Sequence, residues 1–150
     1  MRQLAFGMGA SGIDLGLFVP YSLDDICIFT HNESMAWEVE FTDEFGEWWD
    51  GLSEDAQDDV SFGVNLLRDQ GPALTRPHAD TVRGSGFPNM RELRVQHRGR
   101  PYRVFYAFNP RRTGILLIGG DKTGNSRWYQ EFVPKADAIY AQHLREIGEE

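Results

Sequence analysis

Four successive apolar residues, Ile115-Leu116-Leu117-Ile118, constrain this fold more than any other feature. Side chains along a strand alternate between its faces, so a strand apolar at every position lies centrally in its sheet. Thr113–Gly119 is therefore read as a central strand. Two strand-like runs precede it, Arg91–Gln96 and Pro101–Phe108, with turn residues Arg98-Gly99 and Asn109-Pro110 between the runs. Further upstream, Trp37, Val39 and Phe41 alternate with Glu38, Glu40 and Thr42, the period of a half-buried strand.

Between the first strand and the other three the period changes. From Asp43 to Asp50, Phe45, Trp48, Trp49 and then Leu52 fall at helical spacing. Ser53 is a good N-cap, and Glu54 and Asp55 suit the partly positive first turn of a second helix. That helix buries Ala56, Val60, Val64 and Leu67 along one stripe and stops at Gly71-Pro72. Arg76–Asn89 reads as a polar loop. A last helix is predicted with Pro134 near its first turn, burying Ala138, Ile139, Leu144 and Ile147 and ending by Gly148. The order β-α-α-β-β-β-α predicts an α+β fold: a small antiparallel sheet packed against an N-terminal helical hairpin and a C-terminal helix.

Residues 1–34 are rich in Gly and Ser and hold no sustained period; their short apolar patch, Leu15 to Val19, ends at Pro20. They read as an N-terminal extension, flexible or loosely docked, ahead of one domain over 35–150. A functional start at Met35 fits the same pattern. A single Cys27 excludes an intrachain disulfide and the usual thiolate metal spacings, which fits a reducing cytoplasm. No apolar run approaches the roughly 20 residues that span a bilayer, and the N-terminus makes a poor signal peptide. A soluble, cytoplasmic protein with no membrane partner is expected.

The net charge of −8 argues against a nucleic-acid partner until the charges are placed along the chain. Glu38 to Asp69 holds eleven acids and one basic residue, Arg68. Arg76 to Arg127 holds eleven Lys/Arg against three acids, Asp80, Glu92 and Asp121. Nearly all of these cations are arginine, whose planar fork suits bidentate contact with phosphate. An acidic face and an arginine face on one small domain are expected, although both could be ordinary solvated surface.

Three strings in this basic half carry a resemblance. They are Arg91-Glu92-Leu93-Arg94, then Tyr102-Arg103-Val104-Phe105-Tyr106-Ala107-Phe108, then Gly119-Gly120-Asp121-Lys122-Thr123 leading to Arg127-Trp128-Tyr129. In order, over about residues 36–148, they resemble the RelE/ParE toxin superfamily, most closely its phage-derived HigB-like branch. The resemblance implies a ribosome-dependent endoribonuclease that cleaves mRNA and so inhibits translation. It also implies a partner, a HigA-like antitoxin with a helix-turn-helix domain, beside the ribosome and mRNA as targets.

Metal-free RNA cleavage lets the 2′-hydroxyl attack the adjacent phosphate, and it needs a base, an acid and cations around the phosphate. No metal or cofactor is expected. Arg103 is the foremost catalytic candidate. Alternation points it away from the face of Tyr102 and Val104, and it matches the arginine that relatives place on the scissile phosphate. Arg94 matches a position where RelE has lysine. Arginine stays protonated, with a pKa of roughly 12.5–13.8, so Arg94 is assigned to phosphate binding. The resemblance puts Tyr129 and Lys122 at the C-terminal catalytic or base-stacking position; packing under the last helix and a solvated turn are their plainer readings. His78 is a candidate base, and His97 a weaker one at a hairpin tip. Arg76, Arg83, Arg91, Arg98, Arg100 and Arg127 are expected to track RNA backbone.

Two conditions decide whether the nuclease reading is more than kinship of fold. Arg94 and Arg103 must share a face, and neither should be buried under a helix. The alternative is a ParE-like toxin that inhibits DNA gyrase by binding and cleaves nothing. An attenuated toxin kept for its complex with the antitoxin is a third possibility.

Overall fold

The computed structural model describes residues 36–148 and the backbone of a two-residue strand, β1 (Arg2–Gln3). Apart from that strand, the extension expected over residues 1–34 lies outside the described residues. The elements that follow are β2 (Val39–Phe41), α1 (Asp43–Asp50), α2 (Glu54–Gln70), β3 (Ala79–Thr81), β4 (Arg91–His97), β5 (Arg100–Phe108), β6 (Gly114–Asp121) and α3 (Trp128–Glu146). They form one sheet in the order β1-β2-β6-β5-β4-β3.

The α+β class is as expected, and β6 lies inside the sheet, as its unbroken apolar run required. The sheet is mixed and not wholly antiparallel, because β2 runs parallel to β6 with Phe41 opposite Leu116. The helical hairpin makes this possible by carrying the chain across one face before the other strands begin. The expected loop Arg76–Asn89 contains β3, which pairs antiparallel with β4, Ala79 opposite Leu93. Three residues are too few to show a period of two.

Each face of the sheet has its own core. Val39, Phe41, Leu93, Val95, Tyr102, Val104, Tyr106 and Leu116 pack against Phe45 of α1 and Ala56, Val60, Val64 and Leu67 of α2. On the other face Phe105, Ala107, Ile115 and Leu117 meet Trp128, Val133, Ala136 and Tyr140 of α3. Thr42 ties two layers together. Its hydroxyl accepts the Phe45 N–H at 3.1 Å, capping α1, and donates to the Leu117 carbonyl at 2.6 Å. Ser53 caps α2 as expected, accepting from the Ala56 N–H at 3.2 Å.

The final helix departs from its prediction. It starts at Trp128, so Pro134 lies inside it and not at its first turn. No side chain caps the start at Arg127, which hides it from a search for Ser, Thr or Asp. The buried stripe is Trp128, Val133, Ala136, Tyr140 and His143; of the expected residues, Ile139 and Leu144 pack half-buried against this core and Ala138 is exposed.

Two adjacent glycines let the helices close on the sheet. A methyl group on Gly119 would stand 2.4 Å from the ring of Trp48, and one on Gly120 would stand 3.0 Å from Trp128, on the opposite face. The Gly119-Gly120 pair therefore seats one indole on each side of β6. The β4–β5 hairpin turns through Arg98 and Gly99, both at positive φ (52° and 81°). That is the two-residue turn whose twist matches the flanking strands.

Candidate functional site

Arg94 on β4 and Arg103 on β5 are direct cross-strand partners, so both guanidinium stems leave the sheet on the same side. It is the α3 side, because their neighbours Leu93 and Val104 belong to the hairpin core. Glu92 precedes Arg94 by two residues and shares its face. Its carboxylate is the hub of the cluster. It accepts from Arg94 Nη1 at 2.9 Å and from the Tyr129 hydroxyl at 2.8 Å, with Arg103 Nε at 3.9 Å. Lys122 stands over the Tyr129 ring, 5.4 Å from its centroid, within cation–π range.

The two arginines differ in access. The side chain of Arg94 is 26% exposed, whereas those of Arg103 and Glu92 are 6% and 5% exposed. Arg103 is thus buried beside the start of α3: the first condition, a shared face, is met, and the second, that neither arginine be buried, fails at Arg103. Its cross-strand partner on β6 is Gly120, where an added methyl group would meet the ring of Trp128 at 3.0 Å. Arg103 donates to the Tyr102 carbonyl at 2.9 Å, and its Nε has no hydrogen-bond partner. Burial raises the pKa of the Tyr129 hydroxyl, and the bond and charge of Glu92 add to that shift against the opposing pull of Arg103. Tyr129 therefore holds its proton at neutral pH.

The other candidates scatter. His78 sits just before β3 with its ring against Phe62 of α2, in a groove along the β4 edge that Arg94 also borders. Its carbonyl accepts the Arg94 N–H at 2.8 Å. His97 is buried on the hairpin face, with Nδ1 2.7 Å from Asp59, and is not the surface residue its hairpin position suggested. Arg91 also leaves the cluster's face, and donates to the Pro72 carbonyl at 3.1 Å. Arg76 pairs with Asp80, Arg98 with Asp55 and Arg100 with Asp121, so these three are engaged by carboxylates. Arg83 and Arg127 are exposed, on the side of α3. Asp121 organises the turn after β6 by accepting from Thr123 N–H at 2.9 Å.

Sequence reasoning missed Glu92 as a site residue. The signal was present, since a carboxylate two residues from Arg94 shares its face. What the pattern could not show was that Tyr129, 37 residues away, would close on it.

A mixed sheet between a helical hairpin and a C-terminal helix, with a carboxylate-centred basic cluster under that helix, defines a small α+β domain of the RelE/ParE type. Residues 47–141 match the family described as "Phage derived protein Gp49-like (DUF891)", and the chain belongs to that family, on its HigB-like branch. It is similar to a Mycobacterium tuberculosis protein described as "Putative toxin HigB2", at 37% identity over 117 residues. That alignment covers 77% of this chain and 58% of the relative, so the chain spans little more than half of that protein. It is also similar to "Putative toxin HigB3" of the same organism, at 46% identity over 91 residues, covering 60% of this chain and 78% of the relative. No solved structure matches the chain significantly. Among the described residues no helix is long and apolar enough to cross a membrane.

Proposed function

We propose that this chain is the toxin of a type II toxin-antitoxin pair and acts in the cytoplasm as a ribosome-dependent mRNA endoribonuclease. The observation that carries the reading is the convergence of Arg94, Arg103 and Tyr129 on Glu92 at one face of the sheet, with Lys122 over the Tyr129 ring. Each chemical requirement then has a residue. Arg94 and Lys122 meet the phosphate from the accessible rim, and Arg103 adds fixed positive charge beneath it. Glu92 takes the 2′-hydroxyl proton as that oxygen attacks phosphorus. Tyr129, protonated at neutral pH, donates to the departing 5′-oxygen, so a cyclic phosphate and a 5′-hydroxyl result. For RNA to reach Glu92, Tyr129 must exchange its bond to the carboxylate for one to the substrate.

The test is translation of a defined mRNA with the purified chain, with the 5′ ends mapped. Cleavage is expected for the wild type and a loss of about 100-fold or more for Arg94→Ala. Intact message at doses that arrest growth would end the nuclease reading.

The burial of Arg103 favours a second reading, in which the toxin binds a protein target such as DNA gyrase and cuts nothing. Inhibition of supercoiling without RNA cleavage would select it. Either way the partner is an antitoxin. One that covers the rim of Arg94 and Lys122 should present acidic residues, and one that docks on the acidic α1–α2 hairpin should present basic ones.

A further inference from the structure

We infer that the groove between α3 and the loop after β3 is a nucleobase pocket, and that Arg83 and Gln130 read the base next to the cleaved phosphate. This deepens the nuclease reading and rests on it. The groove holds about 420 Å³ and is lined by Arg83, Gly84, Tyr129, Gln130, Val133 and Pro134, with Asp137 at its end. That is within the range of small-molecule sites, roughly 300–1,000 Å³.

Its chemistry fits one kind of occupant. Val133, Pro134 and the Tyr129 ring offer apolar surface against which a flat base can stack. Tyr129 is shared between this groove and the Glu92 cluster, and Lys122 stands over its ring, so the groove adjoins the residues assigned to the phosphate. The loop wall is held in place. Asp137 accepts the Ser85 hydroxyl at 2.5 Å and the Gly86 N–H at 2.7 Å, which engages both of its oxygens. Arg83 and Gln130 are both exposed, and no carboxylate among the described residues is paired with Arg83. A guanidinium fork and an amide at the mouth of a stacking groove supply the donors and the acceptor needed to tell one base edge from another.

The experiment maps cleavage sites on one mRNA in a reconstituted translation system. It compares the full-length wild type, the double variant Arg83→Ala/Gln130→Ala and the control Lys135→Ala, which removes a cation on α3 outside the groove. The double variant is expected to lose roughly tenfold in its preference between favoured and disfavoured sites, while Lys135→Ala keeps the wild-type pattern. An unchanged pattern in the double variant overturns the inference. Wild type that leaves the message intact overturns the nuclease reading, and the groove is then judged alone by nuclear magnetic resonance. Titration with the four nucleoside 3′-monophosphates should shift the Gln130 side-chain amide in the wild type and not in Arg83→Ala. Absence of any shift in the wild type overturns the pocket.

Discussion

Glu92 sets the terms for the residues around it. A buried carboxylate facing two guanidinium groups and a hydroxyl is satisfied only while all of them stay in place. Glu92→Gln should therefore cost stability as well as activity, about 3–5 kcal/mol, because Arg103 is left as an uncompensated buried charge. The double variant Glu92→Gln/Arg103→Met should recover much of that loss in a denaturant melt, yet stay inactive on RNA. Recovery of activity along with stability would show that neither residue takes part in cleavage. Tyr129→Phe separates the two roles of that ring. Loss of cleavage with base binding intact would mark the hydroxyl as the proton donor, and full cleavage would leave only stacking. Arg94, at the accessible rim, is the cleaner probe of phosphate contact than Arg103, whose removal also disturbs the core.

At the scale of elements, β6 holds the two helical layers apart and lets each approach. Gly119 is the tight point, since an added methyl group would enter the Trp48 ring at 2.4 Å. Gly119→Ala is expected to cost about 1–3 kcal/mol, read as a drop of several degrees in Tm. Gly120→Ala meets Trp128 at 3.0 Å and should cost less, but it pushes the first turn of α3 off Arg103. Greater solvent exposure of Trp128, seen as a red-shifted fluorescence spectrum, is the sign to look for. The fold and the site thus share one dipeptide. The first turn of α3 closes the core on one side and brings Trp128 and Tyr129 over the Glu92 cluster.

Across the whole molecule the segregated charges do not stay apart. Arg98 of the β4–β5 turn pairs with Asp55 of α2, which joins the basic half of the chain to the acidic half. Exposed pairs of this kind contribute little to stability and weaken further in salt. The pH dependence rests on buried groups. His143, on the buried face of α3, is 3% exposed, with Nε2 3.0 Å from the Asn109 amide, and burial lowers its pKa below the ordinary 6.5. The folded state therefore binds a proton here less readily than the unfolded chain does. Stability from this site is complete above about pH 6.5 and falls as the pH drops from there toward the lower folded value. A His143→Gln variant should flatten that part of the Tm–pH curve; a curve of unchanged slope would exclude His143 as its source. Asp121 adds a separate acid limb. Burial raises its pKa, but the Thr123 hydrogen bonds and Arg100 more than offset that and hold it below 3.8, so its contribution is lost only in stronger acid.

Local pattern determined a great deal of this protein by itself. The period of two in Trp37–Thr42, the stripe of α2, the cap at Ser53 and the doubly apolar β6 are properties of neighbours in the chain, so backbone geometry alone makes them legible. So is the shared face of Arg94 and Glu92, two residues apart on one strand. What joins distant segments was decided only when the layers packed. The parallel pairing of β2 with β6, the capture of His97 by Asp59 and the closing of Tyr129 over Glu92 each bring together residues more than thirty positions apart. The same closing buries Arg103, a residue whose alternation on β5 marked its face correctly and its depth not at all. Periodicity fixes the direction in which a side chain points; how deeply it is then covered depends on packing volume, here the space that Gly120 leaves for the ring of Trp128.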